Sequence, residues 1–147
     1  MDKYREDSVK HSAENKQRYE KQVQLKKDRP TLSDAQRKRY IETARSIFTQ
    51  KAAYYARLIG VTYGRISIRE QKTRWGSCSS KGNLNFNWRL IFAPEEVVDY
   101  IVVHELAHRK EMNHSRAFYK VVASVLPDYK VQEKWLKENG EKLWNCV

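Results

Sequence analysis

The most informative stretch of this sequence is residues 102–108, which read VVHELAH. Residues four apart on an α-helix are rotated by about 40° and rise about 6 Å, so His104 and His108 project from one helix face. Two neutral imidazoles at that spacing can bind one Zn²⁺ at about 2.0–2.1 Å each. The stretch therefore predicts a helix that carries two ligands of a metal site.

Glu105 stands directly after the first of these histidines. It lies about 100° around the helix axis from His104, which places its carboxylate beside a bound metal rather than on it. A carboxylate there can accept a proton from a water molecule that the metal activates. Glu105 is therefore the candidate catalytic base.

A third ligand is expected, because a catalytic zinc usually takes three protein ligands and leaves one position for water. His114 is the natural choice, although a continuous helix would place it about 9 Å along the axis from His108. Asparagine tolerates the left-handed conformation that ends helices, so Asn113 predicts a bend. Ser115 can then cap the following helix and hold His114 in the corner.

The chain before this helix predicts one long helix and a small sheet. Ser33 and Gln36 form a capping box, apolar residues recur at helical spacing as far as Leu58, and Gly60 ends the helix. Apolar and polar residues alternate from Arg65, and two further short strands flank a turn-rich segment at 79–83. We expect a three-stranded antiparallel sheet.

The remaining segments predict three more helices, including the one that carries the histidines. The histidine helix has Pro94 at its first position and a buried stripe of Val97, Val98, Ile101 and Val102. The next helix runs from Ser115 to Leu126-Pro127. The last carries Val131, Trp135 and Leu136 and is expected to stop near Asn139-Gly140.

Length and composition set the class of protein. The 147 residues suit one domain, and no apolar stretch approaches the roughly 18 residues of a membrane span. The N-terminus lacks the apolar core of a secretory signal and there are only two cysteines, so we expect a cytoplasmic protein. Residues 1–30 are too poor in apolar side chains to bury a face and predict a charged segment, either disordered or a polar helix; residues 31–147 form the hydrolase domain.

The histidine helix, the corner and their flanks resemble the YgjP-like metallopeptidase domain family. The stretches that match are 72–79 (KTRWGSCS), 82–87 (GNLNFN), 103–108 (VHELAH), 113–115 (NHS) with Phe118, and 127–129 (PDY). The resemblance implies an α+β, zincin-like domain with a long N-terminal helix, a small sheet, a metal-binding helix and C-terminal helices. It also implies metallopeptidase activity with one Zn²⁺ per chain, held by His104, His108 and His114, and Glu105 as the catalytic acid/base.

Two alternatives to a peptidase stay open, because the net charge of +11 favours anionic partners. In one, the same zinc site hydrolyses a nucleotide or another phosphate ester. In the other, zinc is structural and the basic surface binds nucleic acid. Arg69, Lys72 and Arg74 are the candidate substrate-binding residues, since guanidinium and ammonium groups bind carboxylates and phosphates. The sequence gives no indication of a membrane partner.

Overall fold

The computed structural model describes residues 32–146, so the predicted segment 1–30 lies outside the described residues. Four α-helices, three strands and one 3₁₀ helix make up this part of the chain. In order they are α1 (Asp34–Ile59), β1 (Ile66–Arg69), β2 (Gly76–Cys78), β3 (Leu84–Asn87), the 3₁₀ helix (Trp88–Phe92), α2 (Glu95–Ala107), α3 (Arg116–Val125) and α4 (Tyr129–Trp144). The predicted α+β class is confirmed.

Helix α1 begins and ends as its sequence predicts. The Ser33 hydroxyl accepts a hydrogen bond from the Gln36 backbone N–H while the Gln36 side chain bonds back to Ser33, and Gly60 ends the helix at φ 81°. The buried face consists of Ala44, Phe48, Ala52, Ala56 and Ile59. Leu58, which we placed on that face, is 57% exposed instead. Its neighbour Ile59, about 100° around the helix axis, faces the core in its place and is 7% exposed.

The sheet is mixed rather than wholly antiparallel, which corrects the sequence-based expectation. The strand order is β1-β3-β2, with β3 antiparallel to β2 but parallel to β1. The chain reverses direction between β1 and β2 and leaves a gap one strand wide, and the β2–β3 hairpin returns β3 into that gap. Alternating hydrophobicity identifies strands but carries no information about the partner that each one pairs with.

Helix α2 forms the centre of the molecule and packs against α1, β2, α3 and α4. The predicted stripe of Val97, Val98, Ile101 and Val102 is at most 4% exposed. Pro94 precedes the helix, which begins at Glu95, one residue later than predicted. The burial continues without interruption to His108, so the histidine helix is enclosed by other elements over most of its length.

Helix α4 continues to Trp144 and does not stop at Asn139-Gly140 as predicted. Gly140 lies within the helix, buried beside Trp75: an added Cβ would lie 3.6 Å from that indole, an ordinary van der Waals contact. One turn later, Trp144 stacks on Trp75 with ring centroids 3.5 Å apart. Val131, predicted to belong to the apolar stripe, is 62% exposed.

None of the helices within residues 32–146 is both long enough and apolar enough to cross a bilayer.

Two glycines with positive φ offer a matched test of the loop contacts. Gly60 (φ 81°) has open space where a Cβ would be, whereas a Cβ on Gly82 (φ 89°) would lie 2.6 Å from the Arg109 guanidinium carbon. Gly60→Ala should cost about 1–2 kcal/mol of unfolding free energy, because only the left-handed backbone is penalised. Gly82→Ala should cost about 1 kcal/mol more, because Arg109 must release its bonds to the Thr62 and Ser80 carbonyls.

Denaturant unfolding of both variants measures the difference. In an Arg109→Ala background the two glycine substitutions should become equal in cost, since the displaced side chain is gone. An excess cost at Gly82 that persists in that background would refute the role of Arg109.

Candidate metal centre

Three histidine side chains converge at the end of α2. His104 and His108 come from that helix and its C-terminal residue, and His114 comes from the corner before α3. Each offers one ring nitrogen, and these nitrogens all lie within 4.8 Å of one another. Nitrogens that share one tetrahedral zinc lie about 3.3 Å apart at bond lengths of about 2.0–2.1 Å, so small rotations of the side chains would bring all three to a single ion.

The bend that brings His114 to this position needs no left-handed residue. Asn113 was predicted to supply one, yet every residue with positive φ in the range 32–146 is a glycine. Helix α2 ends at Ala107 instead, and a tight turn follows in which Lys110 and Glu111 both donate to the Ala107 carbonyl. The Glu111 carbonyl then lies 3.1 Å from His108 Nδ1 and fixes the plane of that ring.

The far side of the corner is held as predicted. The Ser115 hydroxyl accepts a hydrogen bond from the Phe118 N–H and caps α3. Ser115 also donates its backbone N–H to the Asn113 carbonyl at 2.8 Å, which closes a narrow turn around His114. These two bonds orient His114 toward α2.

Phe118, which the sequence analysis named only among the stretches that match the family, is a component of the site. Its fully buried ring packs against all three imidazoles, with centroid distances of 4.9 Å to His104, 4.6 Å to His108 and 5.0 Å to His114. Contact with the Phe118 ring therefore limits the three histidine side chains to rotamers that point toward one another. The sequence does carry a signal for this contact: His114 and Phe118 are four residues apart at the start of a helix, a spacing at which side chains are neighbours.

Glu105 lies beside this cluster and is 1% exposed. Its Oε2 atom is 3.3 Å from His104 Nδ1 and its Oε1 atom is 4.0 Å from His108 Nε2. Strand β2 can approach this carboxylate because residue 76 is glycine: an added Cβ would lie 3.2 Å from Oε2. The carboxylate is thus enclosed between the metal-binding cluster and the sheet.

The cluster contains polar atoms that the protein itself does not satisfy. Both ring nitrogens of His104 and the Oε2 atom of Glu105 are buried without a hydrogen-bond partner among the described residues, and the 3.3 Å approach between Nδ1 and Oε2 lacks hydrogen-bond geometry. An unsatisfied buried polar group costs about 1–3 kcal/mol. A cation bound by the imidazoles would relieve that cost, so the residues present fit a metal ion.

The electrostatics favour neutral imidazoles, the form that binds metals. The pKa of His114 is lowered to about 4, chiefly by partial burial of its ring and in smaller part by the neighbouring His104 and His108. Burial also lowers the pKa of His108, although the Glu105 carboxylate acts in the opposite direction. Near neutral pH both rings therefore keep a lone pair available.

The candidate substrate-binding residues do not join this cluster. Arg69, Lys72 and Arg74 are exposed. Arg69 and Arg74 line a separate cavity on the sheet, and their role as substrate ligands stays a prediction. Cys78 is half-buried and does not belong to the metal-binding cluster.

The chain is similar to known proteins in sequence and in fold. The sequence profile of the family described as "YgjP-like, metallopeptidase domain" matches residues 2–139. The chain belongs to this family. The YgjP-like chain is therefore a metallohydrolase, and the resemblance found in its sequence is confirmed.

Two solved structures are similar in fold to this YgjP-like chain. The zymogen of the Pyrococcus abyssi metallopeptidase abylysin matches with a TM-score of 0.56 and 24% identity, over 62% of this chain and 93% of that one. The zymogen of Methanocaldococcus jannaschii jannalysin matches with a TM-score of 0.53 and 22% identity, over 64% of this chain and 95% of that one. At this identity the likeness concerns the fold alone.

A curated relative matches over a shorter stretch. The UTP pyrophosphatase of Escherichia coli (strain K12) is 51% identical over 37 residues, which is 25% of this chain and 22% of that protein. The match therefore spans less than a quarter of the relative's length.

The environment of Cys78 leads to a test by thiol chemistry. The pKa of Cys78 is raised to about 11, chiefly by burial and in smaller part by the Glu105 charge, while Arg109 partly offsets this. At pH 8 only about one thiol in a thousand is then ionised, so iodoacetamide should modify Cys78 much more slowly than the exposed Cys146. Mass spectrometry of peptides after timed alkylation measures both rates, and Glu105→Gln should accelerate the reaction at Cys78. Equal rates at the two cysteines would contradict the assigned burial.

Proposed function

We propose that this chain is a zinc-dependent hydrolase whose leading substrate class is peptides. One observation carries the proposal: a buried carboxylate, Glu105, lies against three imidazoles whose nitrogens lie within 4.8 Å of one another. Membership of the YgjP-like metallopeptidase domain family supports the same chemistry. A purely structural zinc would need the histidines but gives no reason to bury an unpaired carboxylate beside them.

His104, His108 and His114 are the residues that would hold the zinc, one ion per chain. When bound, the zinc supplies Lewis-acid activation of the attacking water and of the scissile group. Three protein ligands leave a coordination position for those groups. Phe118 excludes water from the inner side of the cluster, so substrate must enter from the side on which His114 is exposed.

Glu105 would act as the general base and then as the general acid. Its carboxylate oxygens lie 3.3 Å from His104 Nδ1 and 4.0 Å from His108 Nε2. It accepts the proton of the attacking water, and it returns a proton to the leaving group when the scissile bond breaks. Strand β2 lies close to the Glu105 side chain at Gly76, which limits the movement of the carboxylate on that side.

The position of β2 supports a peptide substrate. This strand lies at one end of the sheet order β1-β3-β2, so one of its backbone edges pairs with no other described strand. An extended peptide can add to such an edge through main-chain hydrogen bonds. Because Gly76 of β2 contacts Glu105, a peptide bound along this edge would pass the catalytic carboxylate.

A second candidate is hydrolysis of a nucleotide or another phosphate ester at the same centre. Similarity to the E. coli UTP pyrophosphatase favours it, though over only 37 residues. A zinc-loaded sample assayed in parallel on a peptide library and on UTP distinguishes the two candidates by which substrate is consumed.

Substitution of Glu105 tests the mechanism on either substrate. Glu105→Gln preserves the shape of the side chain and removes the base, so the protein should retain about one zinc per chain and a near-native melting temperature. Turnover should fall by about 10²-fold or more. Metal analysis, thermal unfolding and the rate assay are made on one preparation. Full activity in zinc-loaded Glu105→Gln protein would overturn the assignment.

Substitution of His114 tests the ligand set. His114→Ala should weaken zinc affinity by orders of magnitude, and it should lower stability only when zinc is present, because metal binding stabilises the folded state. His11→Ala is the control, since the same residue type is removed elsewhere in the chain. Equal zinc content in wild type and His114→Ala after dialysis would remove His114 from the site.

A further inference from the structure

A cavity of about 370 Å³ opens beside the sheet, and neither Glu105 nor the three histidines line it. Its volume falls within the range of small-ligand sites. Donor side chains dominate its wall, namely Arg69, Gln71, Thr73, Arg74, Ser77 and Asn85, and none of the described residues that line it is acidic. A cavity with this composition favours an anion.

The cavity lies on the face of the sheet opposite to Glu105. Successive residues of a strand point to opposite faces, and a Cβ at Gly76 would point toward the Glu105 carboxylate. Ser77 and its pairing partner Asn85 therefore point to the other face. Arg69 joins them there because its Nε–H donates to Asn85 Oδ1 at 2.8 Å.

A hydrogen-bonded row across the three strands fixes the donors of this face. Arg69 on β1 donates to the Asn85 side chain on β3, and Asn85 Nδ2 donates to the Ser77 hydroxyl on β2 at 3.1 Å. The Ser77 oxygen accepts that bond, so its own proton is left for a ligand. The Arg69 guanidinium is held by its Nε edge, which leaves its two Nη groups for bidentate contact.

Glu70, the acidic residue next to Arg69, pairs with an arginine of α1. Glu70 forms an ion pair with Arg37 of α1, with Arg37 Nη1 2.7 Å from Glu70 Oε1. Arg89 donates to the Glu70 carbonyl at 2.6 Å and Asn87 to the Gln71 carbonyl at 2.7 Å, so the loop that forms the cavity wall is fixed from behind. The anion site is thus formed before any ligand arrives, which lowers the entropic cost of binding.

We propose that this outer-face cavity binds a phosphate group, free or carried by a nucleotide, through the Arg69 guanidinium and the Ser77 hydroxyl. The site is separate from the metal centre and does not depend on the zinc proposal. A phosphate dianion suits it better than a carboxylate, because the two Nη groups of Arg69 and the Ser77 hydroxyl together offer more donors than the two oxygens of a carboxylate can use.

The test is a titration of the full-length, zinc-loaded chain with inorganic phosphate at constant ionic strength, followed by ¹⁵N NMR. Phosphate should shift the Arg69 Nε–H and Asn85 side-chain resonances saturably. Arg69→Gln should weaken the affinity at least tenfold. Arg69→Lys should weaken it nearly as much despite keeping the charge, because lysine offers neither the Nε–H for Asn85 nor a two-pronged donor.

Arg65→Gln is the matched control. Arg65 is exposed, it is four residues before Arg69 and so about 13 Å away on the same face, and it does not line the cavity. Its loss should change the affinity by less than twofold. Uridine monophosphate in a second arm identifies the source: tighter binding than phosphate with the same dependence on Arg69 indicates a nucleotide, and equal binding indicates the free anion.

Three results would overturn the proposal. Equal weakening by Arg65→Gln and Arg69→Gln would show diffuse electrostatic attraction to a basic surface. Shifts confined to the His104 and His108 rings would place the anion at the metal centre. Shifts that fail to saturate would show that no site exists on this face.

Discussion

The Glu105 carboxylate and the His104 imidazole are buried side by side, and some of their polar atoms have no hydrogen-bond partner among the described residues. This structure depends on that one constraint. Glu105 and His104 are at most 1% exposed, and three of their polar atoms are unsatisfied among the described residues. Burial of such groups is unfavourable by several kcal/mol in total. The apolar residues of α2 offset that cost, because the helix that carries both groups is enclosed by other elements over most of its length.

The surrounding elements serve to keep this pair in place. Gly76 lets the sheet close over the carboxylate, and Phe118 closes the other side of the imidazole cluster. Arg109, one residue beyond the second histidine, ties the turn after α2 to the Thr62 and Ser80 carbonyls. The candidate metal centre is therefore held in place by contacts from the sheet, from α3 and from two loops.

The two faces of the small sheet differ: one faces the candidate metal centre, and the other carries the outer cavity. Its inner face packs Phe86 against Phe48 of α1, with ring centroids 4.4 Å apart, and presents Gly76 to Glu105. Its outer face carries the polar row of Arg69, Asn85 and Ser77. Because side chains alternate along a strand, the three-residue strand β2 contributes to both faces. A side chain added at residue 76 would meet Glu105, whereas the side chain of residue 77 lies on the face of the outer cavity.

The sequence by itself determined the features that depend on neighbours within one turn. The capping box at Ser33, the end of α1 at Gly60, the cap at Ser115 and the placement of His104, His108 and Glu105 on one helix all follow from contacts three or four residues apart. Only the tertiary structure decided the parallel pairing of β1 with β3, the passage of α4 through Gly140, and the side of the sheet on which Arg69 lies. Each of these depends on a partner distant in sequence: a strand inserted between two others, an indole that fills the space beside a glycine, an asparagine on the next strand. Local periodicity carries no information about such partners, which is also why the turn after His108 was predicted to need a left-handed asparagine that the packed corner does not use.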